Sequence, residues 1–196
     1  MNLFPLRLAG LHLVSRRTPL ALTLILAVAA ADWLLAPLTT GTGAFAGTLP
    51  LVLAAGAAGI IAASAQSPFG DPERATWPVP RLRLIHVLAL TVAASGLLGL
   101  ARTGHDPLAT TRNVAGFTGL ALLTATVTSA GLAWIAPLAY TIYCSGPLDV
   151  RSVNLWSWPA LPSSDHVACL IALVLLAAGA GCFTRGGTRE RYADPG

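Results

Sequence analysis

The stretch Val114–Cys144, VAGFTGLALLTATVTSAGLAWIAPLAYTIYC, decides the fold, because it fits either one or two membrane helices. Its 31 residues are too many for one comfortable span and few for two, since about 20 apolar residues cross a bilayer core. A weak polar break, Thr126–Gly131, lies in its middle. The break favours two short helices, predicted as Val114–Thr128 and Ala130–Cys144.

Four further apolar runs surround this stretch, and Asp32 is the one charged residue among them. A surface helix of a soluble protein keeps a polar face, and these runs keep none. The predicted spans are Thr18–Leu38, Leu49–Ala65, Leu84–Ala101 and Val167–Phe183. Only 10% of the 196 residues are charged, whereas about 25% is usual in a soluble domain. We predict an all-α fold, a polytopic transmembrane helix bundle over residues 18–184, in the cell membrane and in contact with the lipid bilayer.

The arginine distribution separates five spans from six. With five spans and a cytoplasmic N-terminus, seven arginines lie inside and five outside. With six spans, nine lie inside and three outside, which are Arg102, Arg112 and Arg151. Cytoplasmic loops of membrane proteins carry an excess of basic residues. The distribution therefore favours six spans with both termini in the cytoplasm.

Composition excludes several kinds of chemistry. All 12 basic residues are arginine, so the chain has neither a Walker A lysine nor a Schiff-base lysine. The net charge of +4 is explained by membrane topology and does not indicate a nucleic-acid partner. The cysteines form no C-x-x-C pair and the histidines have no metal-ligand spacing. We expect no cofactor, no metal and no catalytic site.

Both termini flank the bundle. The apolar residues between Leu3 and Val14 indicate that residues 1–17 form a short helix in the cytoplasmic interface of the membrane. Arg16-Arg17 before an apolar run also resembles a cleaved signal peptide, but that run continues past Ala29-Ala30-Ala31 into Trp33. Residues 185–196 predict a disordered cytoplasmic tail.

The loop between the second and third spans, SPFGDPERATWPVPRLR at 67–83, is the longest cytoplasmic segment. Asp71 followed by proline, with Glu73 and Arg74 behind it, indicates the start of a short helix. Trp77 would lie at the depth of the lipid headgroups. On the other side, Ser145–Asp165 is the longest outer loop, and its Trp156 and Trp158 predict an aromatic belt at the membrane surface rather than a substrate lid.

Polar residues within the predicted spans are the remaining candidates. Asp32 is an intramembrane acid, a residue type that is often functional, although an interfacial carboxylate beside Trp33 explains it more simply. Its possible partners are Arg102, Arg112 and Arg151. Ser95, which follows Ala94, is weak evidence for an intramembrane serine protease, because no histidine pairs with it convincingly.

The order of these elements resembles the exporter-type permeases of ABC transporters, the group that includes the G-subfamily exporters, and small membrane proteins of actinobacterial ABC systems. The similar stretches run from Pro68 to Arg83 and from Arg112-Asn113 through Gly116-Phe117-Thr118-Gly119 to Pro137-Leu138. The resemblance covers most of the chain. It implies a membrane subunit that transports without catalysing a reaction itself.

The resemblance also implies partners. Asp71, Glu73, Arg74 and Trp77 would form the coupling helix seated on a separate cytoplasmic ABC ATPase. Six spans are half of a transporter, so a second membrane subunit, identical or paralogous, would complete it. Two alternatives stay open: a non-catalytic accessory or scaffold protein that binds partner helices, and a membrane-embedded enzyme.

Overall fold

The computed structural model describes residues 17–39, 44–65, 79–101, 106–145 and 155–186, and these are helices and turns without a strand. The all-α prediction is confirmed for this part of the chain. The predicted interfacial helix and nearly all of the predicted tail lie outside it. The α-helices are α1 (Thr18–Leu35), α2 (Ala44–Ser64), α3 (Val79–Ala101), α4 (Pro107–Val127), α5 (Ile135–Ser145) and α6 (His166–Gly186). Short 3₁₀ turns occupy Ala36–Thr39, Ala130–Leu132 and Leu155–Ala160.

Four segments of the described helices are long and apolar enough to cross a membrane. They are Thr18–Leu35, Gly47–Ser64, Arg81–Ala101 and His166–Arg185. Leucine and valine side chains of these segments are exposed at the surface of the bundle; examples are Leu26 of α1, Val92 of α3 and Leu173 of α6. An apolar surface of this kind is unfavourable in water and favourable in lipid. These helices therefore indicate a membrane protein.

Helix α4 begins seven residues before the predicted start at Val114. Asp106 caps it, since its carboxylate accepts a hydrogen bond of 2.9 Å from the backbone N–H of Leu108. Pro107 occupies the first turn, where its missing N–H costs nothing. The early start brings Arg112 and Asn113 into the helix, and both side chains are buried. The sequence places the span at Val114–Thr128 with a possible extension into Thr110–Asn113; the helix includes that extension and begins three residues before it.

The chain reverses direction after α4, where the sequence predicted a break. Thr128 leaves the helical conformation and Ser129 is extended, with φ −162° and ψ 161°. The aromatic rings of Phe117 in α4 and Tyr140 in α5 lie 5.5 and 6.2 Å from the ring of Trp158. In one continuous helix, Phe117 and Tyr140 would be separated by about 34 Å. Helix α5 therefore folds back along α4, and its 11 residues rise about 16 Å, half the thickness of a bilayer core.

Helices α4 and α6 cross in direct backbone contact. A Cβ atom added to Gly119 would collide with the backbone of Leu175, and one added to Gly179 would collide with the carbonyl of Gly119. Small residues at such crossings let helices approach closely and gain dispersion energy over a long contact. Because their N-terminal ends are also joined, as described below, α4 and α6 run in the same direction.

The glycine crossing predicts a position-specific loss of stability. Gly119→Ala should lower the free energy of unfolding by about 1–3 kcal/mol, because its methyl group has no space against α6. Gly181→Ala is the matched control, since a Cβ at Gly181 meets no atom within 4 Å. Thermal unfolding of the purified proteins in one detergent compares the two. Equal melting temperatures for both variants would contradict the packing described here.

Candidate functional site

A buried arginine organises one end of the bundle. Arg112 is 5% exposed, and its guanidinium donates hydrogen bonds to three backbone carbonyls of the loop before α6. Nη1 donates to Pro162 at 2.9 Å, and Nη2 donates to Leu161 at 2.7 Å and to Pro159 at 3.2 Å. Nε donates to the side-chain oxygen of Asn113 at 3.2 Å. The planar fork of an arginine is suited to several acceptors at fixed angles.

Two neighbouring polar groups strengthen this attachment. The amide of Asn113 donates a second hydrogen bond, of 3.0 Å, to the carbonyl of Pro159. The Ser163 hydroxyl donates to the carboxylate of Asp106, which joins the loop to the first turn of α4. We call residues 155–165 the docked segment, and the contacts of Arg112 and Asn113 with its carbonyls the Arg112 clamp. The carboxylates of Asp165 and Asp106 attract the positive charge of Arg112.

The docked segment inserts Trp158 between the helices. Its indole is 2% exposed, stacks near Tyr140 and hydrogen-bonds to that tyrosine's hydroxyl. It lies so close to the backbone of Gly116 that a Cβ there would collide with the ring. The prediction that Trp158 belongs to an aromatic belt at the membrane surface was wrong, because Gly116 leaves a space inside the bundle that the indole fills. The side chain of Trp156, the other residue of that prediction, lies outside the described part of the chain.

The opposite end of the bundle holds a serine–histidine contact. Ser64 at the end of α2 lies 3.4 Å from Nε2 of His86 in α3, and both side chains are buried. The Ser64 hydroxyl proton is already donated to the carbonyl of Ile61 at 2.8 Å. The hydroxyl proton that Ser64 gives to Ile61 is not directed at His86, whereas a nucleophilic serine gives its proton to the base; the role of Nε2 in the contact depends on the histidine tautomer. This arrangement does not favour the alternative of a membrane-embedded hydrolase.

Asp32 and Ser95, the polar residues noted in the spans, both face the interior of the bundle. Asp32 is 3% exposed while its neighbour Trp33 is 64% exposed, so the two side chains point in different directions. Arg112, one of the partners considered for Asp32, uses its guanidinium for the docked segment. Arg102 and Arg151 lie outside the described residues. The Oγ atom of Ser95 is buried without a hydrogen-bond partner.

The predicted coupling residues Asp71, Glu73, Arg74 and Trp77 also lie outside the described residues. Across the described ranges, no group of three or more histidine, cysteine or acidic side chains is placed to hold a metal ion.

The Arg112 clamp was missed by sequence reasoning, although a signal for it exists. Asp71-Pro72 was used to predict a helix start, and the same dipeptide recurs at Asp106-Pro107, where α4 begins. A helix started there places Arg112 and Asn113 on the face of Gly116, inside the span. Nothing in the sequence pattern identifies the carbonyls of residues 159–162 as their partners, because that contact joins residues nearly 50 positions apart.

Comparison with known proteins identifies no relative. No protein-family profile matches the chain, and no curated protein or solved structure matches it.

The clamp predicts how firmly the docked segment is held. Arg112→Lys keeps the positive charge but loses the planar guanidinium that donates to several carbonyls at once. Because each lost hydrogen bond costs about 1 kcal/mol or more, the docked segment should open about tenfold more often. The readout is maleimide labelling of Ser157→Cys, a buried position, in a background with Cys144, Cys169 and Cys182 replaced by alanine. Labelling should accelerate with Arg112→Lys. Ala160→Cys, which is already exposed, should label at the same rate with either residue at 112. An unchanged rate at position 157 would show that Arg112 does not hold the segment.

The link between Asp106 and Ser163 predicts a pH dependence. The hydrogen bond from Ser163, followed by that from the Leu108 backbone, lowers the pKa of Asp106 below its ordinary value of 3.8. The ionised carboxylate therefore stabilises the fold fully above pH 3.8, and this stabilisation disappears as the pH falls through the lowered pKa. The melting temperature of the wild type should exceed that of Asp106→Asn near neutral pH, and the difference should shrink in strong acid. A pH-independent difference would count against the role of the ionised form.

Proposed function

We propose that the chain is a membrane-spanning subunit of an ATP-driven ABC export system, with six passes, both termini in the cytoplasm and no catalytic activity of its own. The observation that carries the six-pass topology is the course of the chain from α4 to α6. These helices run in the same direction, so the chain between them must return across the bundle, and α5 begins that return. A six-pass topology agrees with the arginine distribution, which leaves nine arginines on the cytoplasmic side.

In this topology, the Asp106 end of the bundle, which holds the docked segment, faces outward. The His86 end, which holds Ser64 and His86, faces the cytoplasm. The docked segment closes the outward end, because Trp158 and the Arg112 clamp fill the space between α4, α5 and α6. A transporter that binds its cargo from the cytoplasm requires closure at the outward end in its resting state.

Coupling to the ATPase is assigned to the loop 67–83. This loop joins α2 to α3 at the His86 end, where the two helices meet through Ser64 and His86. A force applied to the loop would act on both helices, since the loop connects the end of α2 to the start of α3 in the sequence and the two helices meet at Ser64 and His86. Asp71, Glu73, Arg74 and Trp77 supply the charged and aromatic contacts with the partner.

A second candidate function, an accessory membrane protein without transport activity, is favoured by the outer face of α6. Ala177 is exposed there, and the space beside Gly181 is open. A face of small residues lets another helix approach closely. The same face would equally suit the second membrane subunit of a transporter, so identification of the partner separates the two functions.

Affinity purification from native membranes in mild detergent, followed by mass spectrometry, tests the proposal. We expect a stoichiometric ABC ATPase to copurify with the wild type and to be lost with Glu73→Ala plus Arg74→Ala, which removes the charged contacts. Arg189→Ala plus Glu190→Ala is the matched control, because it removes a similar charge pair from the tail and should leave the ATPase bound. Recovery of the chain alone, or with membrane proteins only, would exclude the transporter and favour the accessory function.

A further inference from the structure

The two outer nitrogens of Arg112 hold neighbouring carbonyls of the docked segment. Nη1 donates to Pro162 at 2.9 Å, and Nη2 donates to Leu161 at 2.7 Å. A guanidinium binds a carboxylate or a phosphate in the same way, with two N–H groups directed at two oxygens and N···O distances of about 2.7–2.9 Å. The two carbonyls therefore occupy the positions that the oxygens of a bound anion would take.

The oxygens that accept from Arg112 are uncharged. Its four hydrogen bonds to oxygen end on three backbone carbonyls and on the side-chain amide of Asn113. The carboxylates of Asp165 and Asp106 attract its charge through space, and each is held at a helix start as an N-cap. A hydrogen bond to an anion is about twice as strong as one to a neutral oxygen. An anion that reaches both arms of the guanidinium is therefore a better partner for it than the carbonyls.

The donors stay in place when the docked segment leaves. Nε of Arg112 is bonded at 3.2 Å to Oδ1 of Asn113, the next residue of α4, so the guanidinium keeps a partner on its own helix. The amide nitrogen of Asn113, which donates to the carbonyl of Pro159 at 3.0 Å, loses its acceptor together with Nη1 and Nη2. Three nitrogen donors on one turn of α4 then need a new acceptor, because buried donors without one are unfavourable.

A ligand can reach these donors from the Asp106 end of the bundle. Asp106 and Pro162 are exposed there. The hydrogen bonds from the guanidinium to Leu161 and Pro162 are partly buried, whereas the bond to Pro159 is buried. The carbonyls at the edge of the clamp are therefore the ones that an incoming anion meets first.

We infer that Arg112 and Asn113 form a binding site for a phosphate or carboxylate group, and that the docked segment occupies this site as an internal competitor. In the closed form, the carbonyls of Leu161 and Pro162 fill the site and Trp158 fills the bundle. In the open form, the anion takes the place of the carbonyls. Because docking and anion binding exclude each other, the anion shifts the population toward the open form.

Maleimide labelling of Ser157→Cys, in the background without the native cysteines, measures how often the segment opens. The purified full chain in an uncharged maltoside detergent is titrated with inorganic phosphate, and sodium chloride of equal ionic strength is the reference. Labelling should accelerate about twofold when the phosphate concentration equals its dissociation constant for the open form, and further above it. Phosphatidylglycerol, titrated into the same micelles, shows whether a lipid headgroup or a free anion is the better ligand.

Two substitutions separate this site from a general effect of phosphate. Gly116→Ala places a methyl group against the Trp158 ring and leaves the donors intact, so phosphate should bind about tenfold more tightly than to the wild type in equilibrium dialysis. Gly116→Ala plus Arg112→Gln should abolish that binding. Arg185→Gln is the matched control, because it removes an exposed arginine at the opposite end of α6 and should bind phosphate as the wild type does.

Equal labelling rates in phosphate, phosphatidylglycerol and chloride would overturn the inference, as would equal phosphate binding by Gly116→Ala with and without Arg112→Gln. If either variant does not elute as a single species, Arg112→Lys decides, because it keeps the charge without the planar guanidinium. A response of its labelling rate to phosphate as large as that of the wild type would overturn the site. The outcome is independent of the ATPase experiment, since the site needs no partner protein.

Discussion

Backbone carbonyls that leave a helix inside a membrane protein must find hydrogen-bond donors within the protein, because the hydrocarbon around it offers none. In this chain the requirement is concentrated in the docked segment, where the residues after Trp158 are not in an α-helix. Arg112 and Asn113 satisfy the carbonyls of Pro159, Leu161 and Pro162. The arginine in turn tolerates burial because those oxygens, with the carboxylates nearby, compensate its charge.

The rest of the Asp106 end depends on these hydrogen bonds between Arg112, Asn113 and the carbonyls of the docked segment. Trp158 reaches the interior only if the backbone on either side of it is held there, and Gly116 leaves the space that the indole fills. Arg112 reaches those carbonyls only because α4 starts at Asp106-Pro107, a full two turns before the first strongly apolar residue of the run. Each feature therefore depends on the one before it. The Asp106 cap sets where α4 starts, that start places Arg112 beside the loop carbonyls, and the bound loop holds Trp158 in the bundle.

The approximate positions of the described α-helices follow from the sequence, since long uncharged runs leave few other structures possible in lipid. The break near Thr128 was also predictable, from a short cluster of hydroxyl residues and glycine. The directions in which individual side chains point could not be predicted from the sequence. Trp158 has the composition of an interfacial residue, and only the distant glycine at 116 shows that it is buried. Arg112 counted as a loop charge in the topology argument, although its side chain lies within the bundle. In each case the deciding contact joins residues more than 40 positions apart, which periodicity and local composition do not report.

The direct backbone contact between Gly119 and Gly179 has a mechanical consequence. With no side chains at the crossing to change rotamer, α4 and α6 have little freedom to slide or rotate against each other, because a shift of one residue would bring a Cβ atom into backbone. The two helices, with the docked segment above them, behave as one rigid frame. Movement within the bundle is then left to α1, α2 and α3, in which many of the buried positions are alanine.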